Sequence, residues 1–396
     1  MKNHGLWGIL FSCLTALGCA PDATVEPLAP RDAGENPEWV KADPERLSLD
    51  REKLALVRNY AFQDDFYTQA VLVVKDGYLV AEWYAEDAER DSLVASWSVG
   101  KSFVSTLIGI AHDQGLIASL DGPMTLYVPS WAGTDKAPIT LRDVLTMSSG
   151  LDWIEDYEAI GSGDEASDII RMMWDPDPLD VVLTQPVRYA PGEDWYYSSG
   201  DSMLLGHVLR HATGKNATEL ARQQLAEPLH FSRLEWWQDG NGDTYTFCCV
   251  DATARDFARF GQLFLQRGAW GGTQVVSEEW VDMATTPQAE DNPGYGFQWW
   301  LNHPDSTGIS WSSLPESAYF ALGVDGQYVA VFPDQNMVVV RHGQYNVPRD
   351  TDWIAENGLL AAGMFPGGLA HVGTRAPGDE WSAEKFFGLV LDAVTD

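Results

Sequence analysis

Ser98-Val99-Gly100-Lys101 places a hydroxyl and an ammonium three residues apart, at the head of a segment whose Phe103, Val104, Leu107, Ile108 and Ala111 share an apolar helical face. Positions i and i+3 of a helix stand on one side, one turn apart, so such a lysine can take the proton of a serine that attacks a carbonyl. The helix N-terminus adds positive potential where an oxyanion would develop. Spacing alone leaves two uses for Ser98, nucleophile or ordinary N-cap, and Ser382-Ala383-Glu384-Lys385 repeats the pattern. Nothing follows that second copy to complete a site, so it reads as a cap.

A second element is Pro191-Gly192-Glu193-Asp194-Trp195-Tyr196-Tyr197-Ser198-Ser199-Gly200-Asp201, followed by Met203-Leu204-Leu205-Gly206. A phenol beside an ammonium can carry protons near neutral pH; a packed aromatic with a bonded hydroxyl is the other use for Tyr197. With this stretch the chain resembles the serine β-lactamase-related hydrolases. The Pro-Gly turn, the tyrosine six residues after the proline and the helix ending in Leu-Leu-Gly are similar to the Tyr-x-Asn region of class C β-lactamases and their esterase and amidase relatives. Leu145-Thr146-Met147-Ser148-Ser149-Gly150-Leu151, Ala254-Arg255-Asp256-Phe257-Ala258-Arg259-Phe260-Gly261 and Tyr295-Gly296-Phe297-Gln298-Trp299-Trp300 extend the likeness, in matching order, over about residues 50 to 390.

Among the subgroups, 6-aminohexanoate-dimer hydrolase and related carboxylesterases are most alike. The resemblance implies an acyl-enzyme on Ser98, with Lys101 and Tyr197 as proton-transfer groups, and it puts Ser199 at the amide-bearing position of Tyr-x-Asn. Tyr157, in Asp156-Tyr157-Glu158, stands where the dimer hydrolase has a substrate-covering tyrosine. The family's Lys-Thr-Gly box is absent. Ala321-Leu322-Gly323-Val324-Asp325-Gly326 occupies its place, without the cation and hydroxyl that hold a β-lactam carboxylate. The Val324 amide, with that of Ser98, is the expected oxyanion hole, Gly323 allowing close approach of substrate and backbone or else marking a bulge. The expected activity is hydrolysis of a small-molecule ester or amide. A true β-lactamase or DD-peptidase and a non-catalytic binding protein of the cell envelope are the alternatives.

The elements that must position these groups suggest an α+β architecture of the β-lactamase/DD-peptidase type. Residues 70–74 and 78–83, joined by Lys75-Asp76-Gly77, read as an antiparallel hairpin after a helix from about Leu49 to Tyr60. β signal returns in 295–301, 327–332 and 337–341, and a last helix covers 382–393. Between them the pattern is mostly helical, at 99–112, 141–147, 203–211 and 254–266, with capping boxes at Thr140/Asp143 and Thr253/Asp256. An antiparallel sheet flanked by helices (46–95 and 290–396) with an inserted helical subdomain (96–289) is expected, making 46–396 the hydrolase domain.

Ahead of it, Lys2, the apolar stretch Leu6 to Leu17 and Ala16-Leu17-Gly18-Cys19 read as an export signal over 1–19, whose ending resembles a lipoprotein box with Cys19 as lipidation site. Residues 20–45, with Pro21, Pro27, Pro30, Pro37 and Pro44, read as a tether, and the expected location is the periplasm, the outer membrane as a lipoprotein, or outside the cell. A formal charge of -33 makes nucleic acid an unsuitable partner, and a lipid anchor is the one membrane attachment expected. Cys248 and Cys249 read as two free thiols, since neighbours can form only a strained bridge. No cofactor or metal is expected: Asp239-Gly240-Asn241-Gly242-Asp243 begins like a calcium loop but has Thr244 at the sixth position and Val250 at the twelfth. Ser96-Trp97-Ser98-Val99-Gly100 half-resembles the elbow of α/β-hydrolases, with His342 as the base it would need, but the parallel βαβ alternation is missing.

Overall fold

Residues 70–74 and 337–340 carry no polar side chain, the pattern of strands covered on both faces. In the computed structural model, which describes Met1 and residues 26–156, 167–289, 291–343 and 381–395, they are the middle of a sheet. Its strands belong to the series β1 (Thr68–Lys75), β2 (Tyr78–Tyr84), β3 (Leu93–Ala95), β4 (Leu234–Trp236), β5 (Val250–Thr253), β6 (Ala269–Trp270), β7 (Thr273–Gln274), β8 (Trp300–Leu301), β9 (Tyr319–Gly323), β10 (Gln327–Phe332) and β11 (Met337–Gly343). Six of them pair in the order β2-β1-β11-β10-β9-β8, every pair antiparallel. The first hairpin thus meets the last strand directly, Val73 opposite Val339.

The helices are α1 (Arg51–Ala61), α2 (Val99–Asp113), α3 (Leu141–Leu145), α4 (Asp168–Trp174), α5 (Pro178–Leu183), α6 (Ser199–Thr213), α7 (Ala217–Ala221), α8 (Ala254–Leu265), α9 (Glu278–Ala284) and α10 (Ala383–Asp392). Alternation along the strands sorts them to two sides. Leu72, Val74, Val329, Val331, Val338 and Val340 join the core of α2 and α8, whereas Val71, Val73, Ala330, Phe332, Met337 and Val339 join that of α1 and α10, around Phe386, Phe387 and Val390. Both expected capping boxes form, Thr140 with Asp143 and Thr253 with Asp256. The architecture is α+β, as expected.

Four expectations need correction. The middle of the chain also contains β3, β4 and β5, paired as β3-β5-β4, short strands that periodicity does not single out. Of residues 295–301 only Trp300 and Leu301 join the sheet, because Gln298 turns through φ 63 and Gly296 lies against the Ala284 carbonyl. From Glu26 on, the supposed tether is attached to the body. Trp39 is buried with its indole donating to the Arg255 carbonyl at 3.3 Å, and Asp32 accepts from the amides of Gly34 (2.8 Å) and Gly272 (3.0 Å) and from Gln266 Nε2 (2.9 Å). Composition hides this because the anchoring runs through scattered single side chains and through backbone pairs such as the Arg31 amide to the Asp76 carbonyl (3.0 Å) and the Leu79 amide to the Val40 carbonyl (3.0 Å), which have no apolar periodicity. Finally, Cys248 and Cys249 are joined as a vicinal disulfide, with Cys249 in the left-handed region at φ 73. The export segment with Cys19, and Tyr157, lie outside the described residues.

Candidate active site

Ser98 sits at the N-cap position of α2 but makes no capping hydrogen bond with its side chain. Its hydroxyl is therefore available, in contrast with Ser382, whose Oγ accepts from the Lys385 amide at 3.1 Å as a cap does. The preceding Trp97 holds φ 45, a left-handed conformation unusual for a tryptophan, which turns the chain sharply from β3 into the helix. Gly100 lets this turn approach the 247–249 segment; a Cβ there would lie 2.6 Å from the Cys248 carbonyl oxygen.

Lys101 is 1% exposed, and its ammonium nitrogen has three partners among the described residues. It lies 3.1 Å from Ser98 Oγ, 2.9 Å from Ser199 Oγ and 2.7 Å from the Phe247 carbonyl oxygen. Burial pulls its pKa down to about 8, against the opposing pull of the Glu155 carboxylate. A group so placed can be neutral in a fraction of molecules near neutral pH and can receive a proton from Ser98.

Tyr197 closes the group. Its hydroxyl is hydrogen-bonded to Ser98, and its ring lies 5.0 Å from the Lys101 nitrogen and stacks on Trp300 at 5.3 Å. Burial, reinforced by Glu155, pushes the phenol well above its usual range. The neutral phenol is the form that this burial favours. The loop carrying Tyr197 rests on the 145–151 stretch, where Met147 O accepts from the Tyr196 amide (2.9 Å) and Ser148 O from the Gly192 amide (2.8 Å). Ser149 Oγ donates to Asp201 Oδ1 at 2.7 Å, tying that stretch to α6, and burial raises Asp201 to about 7. Gln298 links the other side: it accepts from Ser202 Oγ at 2.6 Å and donates to Leu145 O at 2.9 Å.

The end of β9 comes up against the turn that carries Ser98. A Cβ on Gly323 would lie 2.4 Å from the Ser96 carbonyl oxygen, so only glycine permits this contact between two backbones. Val324, the next residue, is 41% exposed beside the turn. Arg341 on β11 donates to the carbonyls of Asp325 (3.1 Å) and Gly326 (2.9 Å), and the Asp325 carboxyl accepts from Trp97. The loop in place of Lys-Thr-Gly is therefore pinned to the strand behind it and to the residue before Ser98.

Of the residues expected at a site, Ser98, Lys101, Tyr197 and Ser199 come together, and Gly323 and Val324 adjoin them. Glu155 is a member that no motif announces. It accepts from Ser199 Oγ (2.6 Å), from the Ser199 amide (2.9 Å) and from the Trp153 indole. It lies 44 residues from Ser199 in sequence, and no local spacing connects them. His342 has no part in the site: it is buried between Phe257 and Gln327, its Nδ1 lies 2.8 Å from Gln327 Oε1, and burial lowers its pKa to about 3. The 239–243 segment is a turn in which Asp239 Oδ1 accepts from the Asn241 and Asp243 amides, both at 2.8 Å. Among the described residues no cluster of His, Cys, Asp or Glu could hold a metal ion, and no helix is long and apolar enough to cross a membrane.

A sequence profile of the family described as Beta-lactamase matches residues 55–361. The 6-aminohexanoate-dimer hydrolase of Paenarthrobacter ureafaciens is 27% identical over 312 residues, covering 74% of this chain and 77% of its own length. Among solved structures, EstCE1, a hydrolase with promiscuous acyltransferase activity, superposes with a TM-score of 0.62 at 14% identity, covering 87% of this chain and 98% of its own. A penicillin-binding protein homolog from Caulobacter crescentus gives 0.59 at 16% identity, covering 74% and 92%. These two likenesses establish a common fold; the matched profile, spanning most of the chain, establishes more. The chain belongs to the beta-lactamase family.

Proposed function

We propose that this protein is an exported serine hydrolase that cleaves an ester or amide of a small molecule through an acyl-enzyme on Ser98. The observation that carries the reading is the Ser98 hydroxyl, which caps nothing and lies 3.1 Å from a buried lysine amine. In the first step the neutral Lys101 takes the Ser98 proton as Oγ bonds to the carbonyl carbon, and the oxygen acquires negative charge. The Ser98 and Val324 amides receive that charge at the start of α2, a contribution of about 3 kcal/mol for one such donor. As the tetrahedral adduct collapses, the leaving oxygen or nitrogen takes the Tyr197 proton, and Lys101 restores it. Water then attacks the acyl ester with the roles reversed.

The relative's name, 6-aminohexanoate-dimer hydrolase, agrees with this chemistry. No cation stands at 321–324 to hold a substrate carboxylate, and Tyr197, Trp300 and the exposed Val324 present an aromatic and aliphatic mouth. Uncharged acyl groups suit it better than β-lactams. Ser199, Gly323 and Tyr157 are the proposed substrate contacts, and Cys19 the proposed lipid anchor. The test is the initial rate of p-nitrophenyl butyrate hydrolysis by the chain from Ala20 on. Turnover abolished by Ser98→Ala supports the reading, and equal rates with and without the hydroxyl refute it.

A further inference from the structure

The hydroxyl of Ser199 has one hydrogen and, among the described residues, two close partners. Lys101 Nζ lies 2.9 Å from it and has only hydrogens to give when charged; Glu155 Oε1 lies 2.6 Å away and, as a carboxylate oxygen, only accepts. The Ser199 hydrogen must therefore go to Glu155, which leaves Ser199 Oγ a pure acceptor toward Lys101. The Phe247 carbonyl, 2.7 Å from Lys101, is an acceptor as well. When Lys101 is neutral its two hydrogens are thus claimed by Ser199 and Phe247. Its lone pair is left facing the third partner, Ser98 Oγ, at 3.1 Å.

We propose that Glu155 is a positioning residue that, by fixing the Ser199 hydroxyl as an acceptor, aims the lone pair of neutral Lys101 at Ser98. The inference rests on the reading of Ser98 and Lys101 given above and names what makes the lysine a directed base. Glu155 is itself held in place, because its second oxygen accepts from the Ser199 amide at 2.9 Å and from the Trp153 indole. Its charge also opposes the loss of the Lys101 proton, and Tyr197, Tyr295 and Asp201 are the other ionisable groups that feel it. Without Glu155, the Ser199 hydrogen is free to point at the neutral amine and to occupy the lone pair that Ser98 needs.

The test is a double-mutant cycle on ester hydrolysis. Glu155→Gln keeps a carbonyl oxygen for the Ser199 amide and the Trp153 indole but turns an N–H toward Ser199 Oγ, releasing its hydrogen toward Lys101. The expected result is a loss of about 10- to 100-fold in kcat with KM little changed, the scale of a misdirected general base. The half-maximal pH of the rate should also fall, since an opposing charge has gone and the neutral amine gains a donor. In a Ser199→Ala background the same change should alter kcat less than about threefold, because the hydroxyl through which Glu155 acts is missing. An equal loss in both backgrounds overturns the proposal, as does Glu155→Gln with a wild-type kcat. Should that variant not fold, Ser199→Ala with full activity and an unmoved pH profile overturns it alone. Ser98→Ala is the control: if it turns over substrate like the wild type, the underlying assignment of the nucleophile falls instead.

Discussion

Raising the pH should switch this site on, with a midpoint set by Lys101. In water a lysine at 10.5 leaves about three molecules in ten thousand neutral at pH 7; burial, which lowers this one to about 8, raises that fraction to about one in ten. The gain is some 300-fold in active base, obtained by removing the amine from water and opposed only in part by Glu155. Because deprotonation makes the base, kcat/KM should rise about tenfold from pH 7 to a plateau above roughly 9, along a single limb of unit slope. Tyr197 should add no second limb below about 10, since its phenol is held above the usual range. The assay is the initial rate of p-nitrophenyl butyrate hydrolysis from about pH 6 to 9.5 at constant ionic strength, corrected for the rate in buffer. A profile flat between roughly 6.5 and 9 would refute the argument that Lys101 receives the Ser98 proton.

Gly323→Ala sets a Cβ 2.4 Å from the Ser96 carbonyl, an atom that cannot move without disturbing the turn that carries Ser98. It should lower kcat by about 100-fold if the Val324 amide stabilises the oxyanion, measured beside the melting temperature; an unchanged kcat would remove that amide from the mechanism. Cys248 and Cys249 should resist alkylation by iodoacetamide in denaturant until a reductant is added, and mass spectrometry of the unreduced protein tests the bridge; adducts without reductant would mean two thiols. Glu82, paired with Arg255 and Lys41, is held at about 2, so its contribution is present above the unfolded value near 4.5 and disappears as pH falls toward 2. Allowing for solvent screening, Glu82→Gln should cost about 1 to 2 kcal/mol in urea melts at pH 7 and about a quarter of that at pH 2.5; an equal cost at both would mean that the charge is not what stabilises.

What is legible in the sequence is what local spacing encodes. Ser98 and Lys101 share one helical turn, and Pro191 to Tyr197 is a single loop, so their chemistry is written in adjacent letters. The central strands show themselves as apolar runs and the helix starts as capping boxes, because both depend on neighbours. Whether Ser98 caps or attacks is not legible, since it depends on the left-handed turn at Trp97 and on where the hydroxyl points. Glu155, the Phe247 carbonyl and Arg341 stay hidden for a related reason. Each acts across 15 to 146 residues of chain, through contacts made only once the sheet and helices are assembled. The protonation state of Tyr197 is beyond sequence because it is set by burial and by Glu155, both of which exist only in the assembled fold. The anchored stretch after Glu26 has the composition of a linker, while its attachment depends on Trp39 and Asp32 finding partners more than 200 residues away.

The central claim is that Ser98 is the nucleophile and Lys101 its base, and active-site labelling tests it most directly. The chain from Ala20 on is treated with a fluorophosphonate at about pH 8, where Lys101 is half neutral, then digested and mapped by mass spectrometry. The account predicts one adduct, on the peptide containing Ser98, absent in Ser98→Ala and slowed at least about 100-fold in Lys101→Ala. An adduct on another serine, or labelling of Ser98→Ala at the wild-type rate, would contradict it.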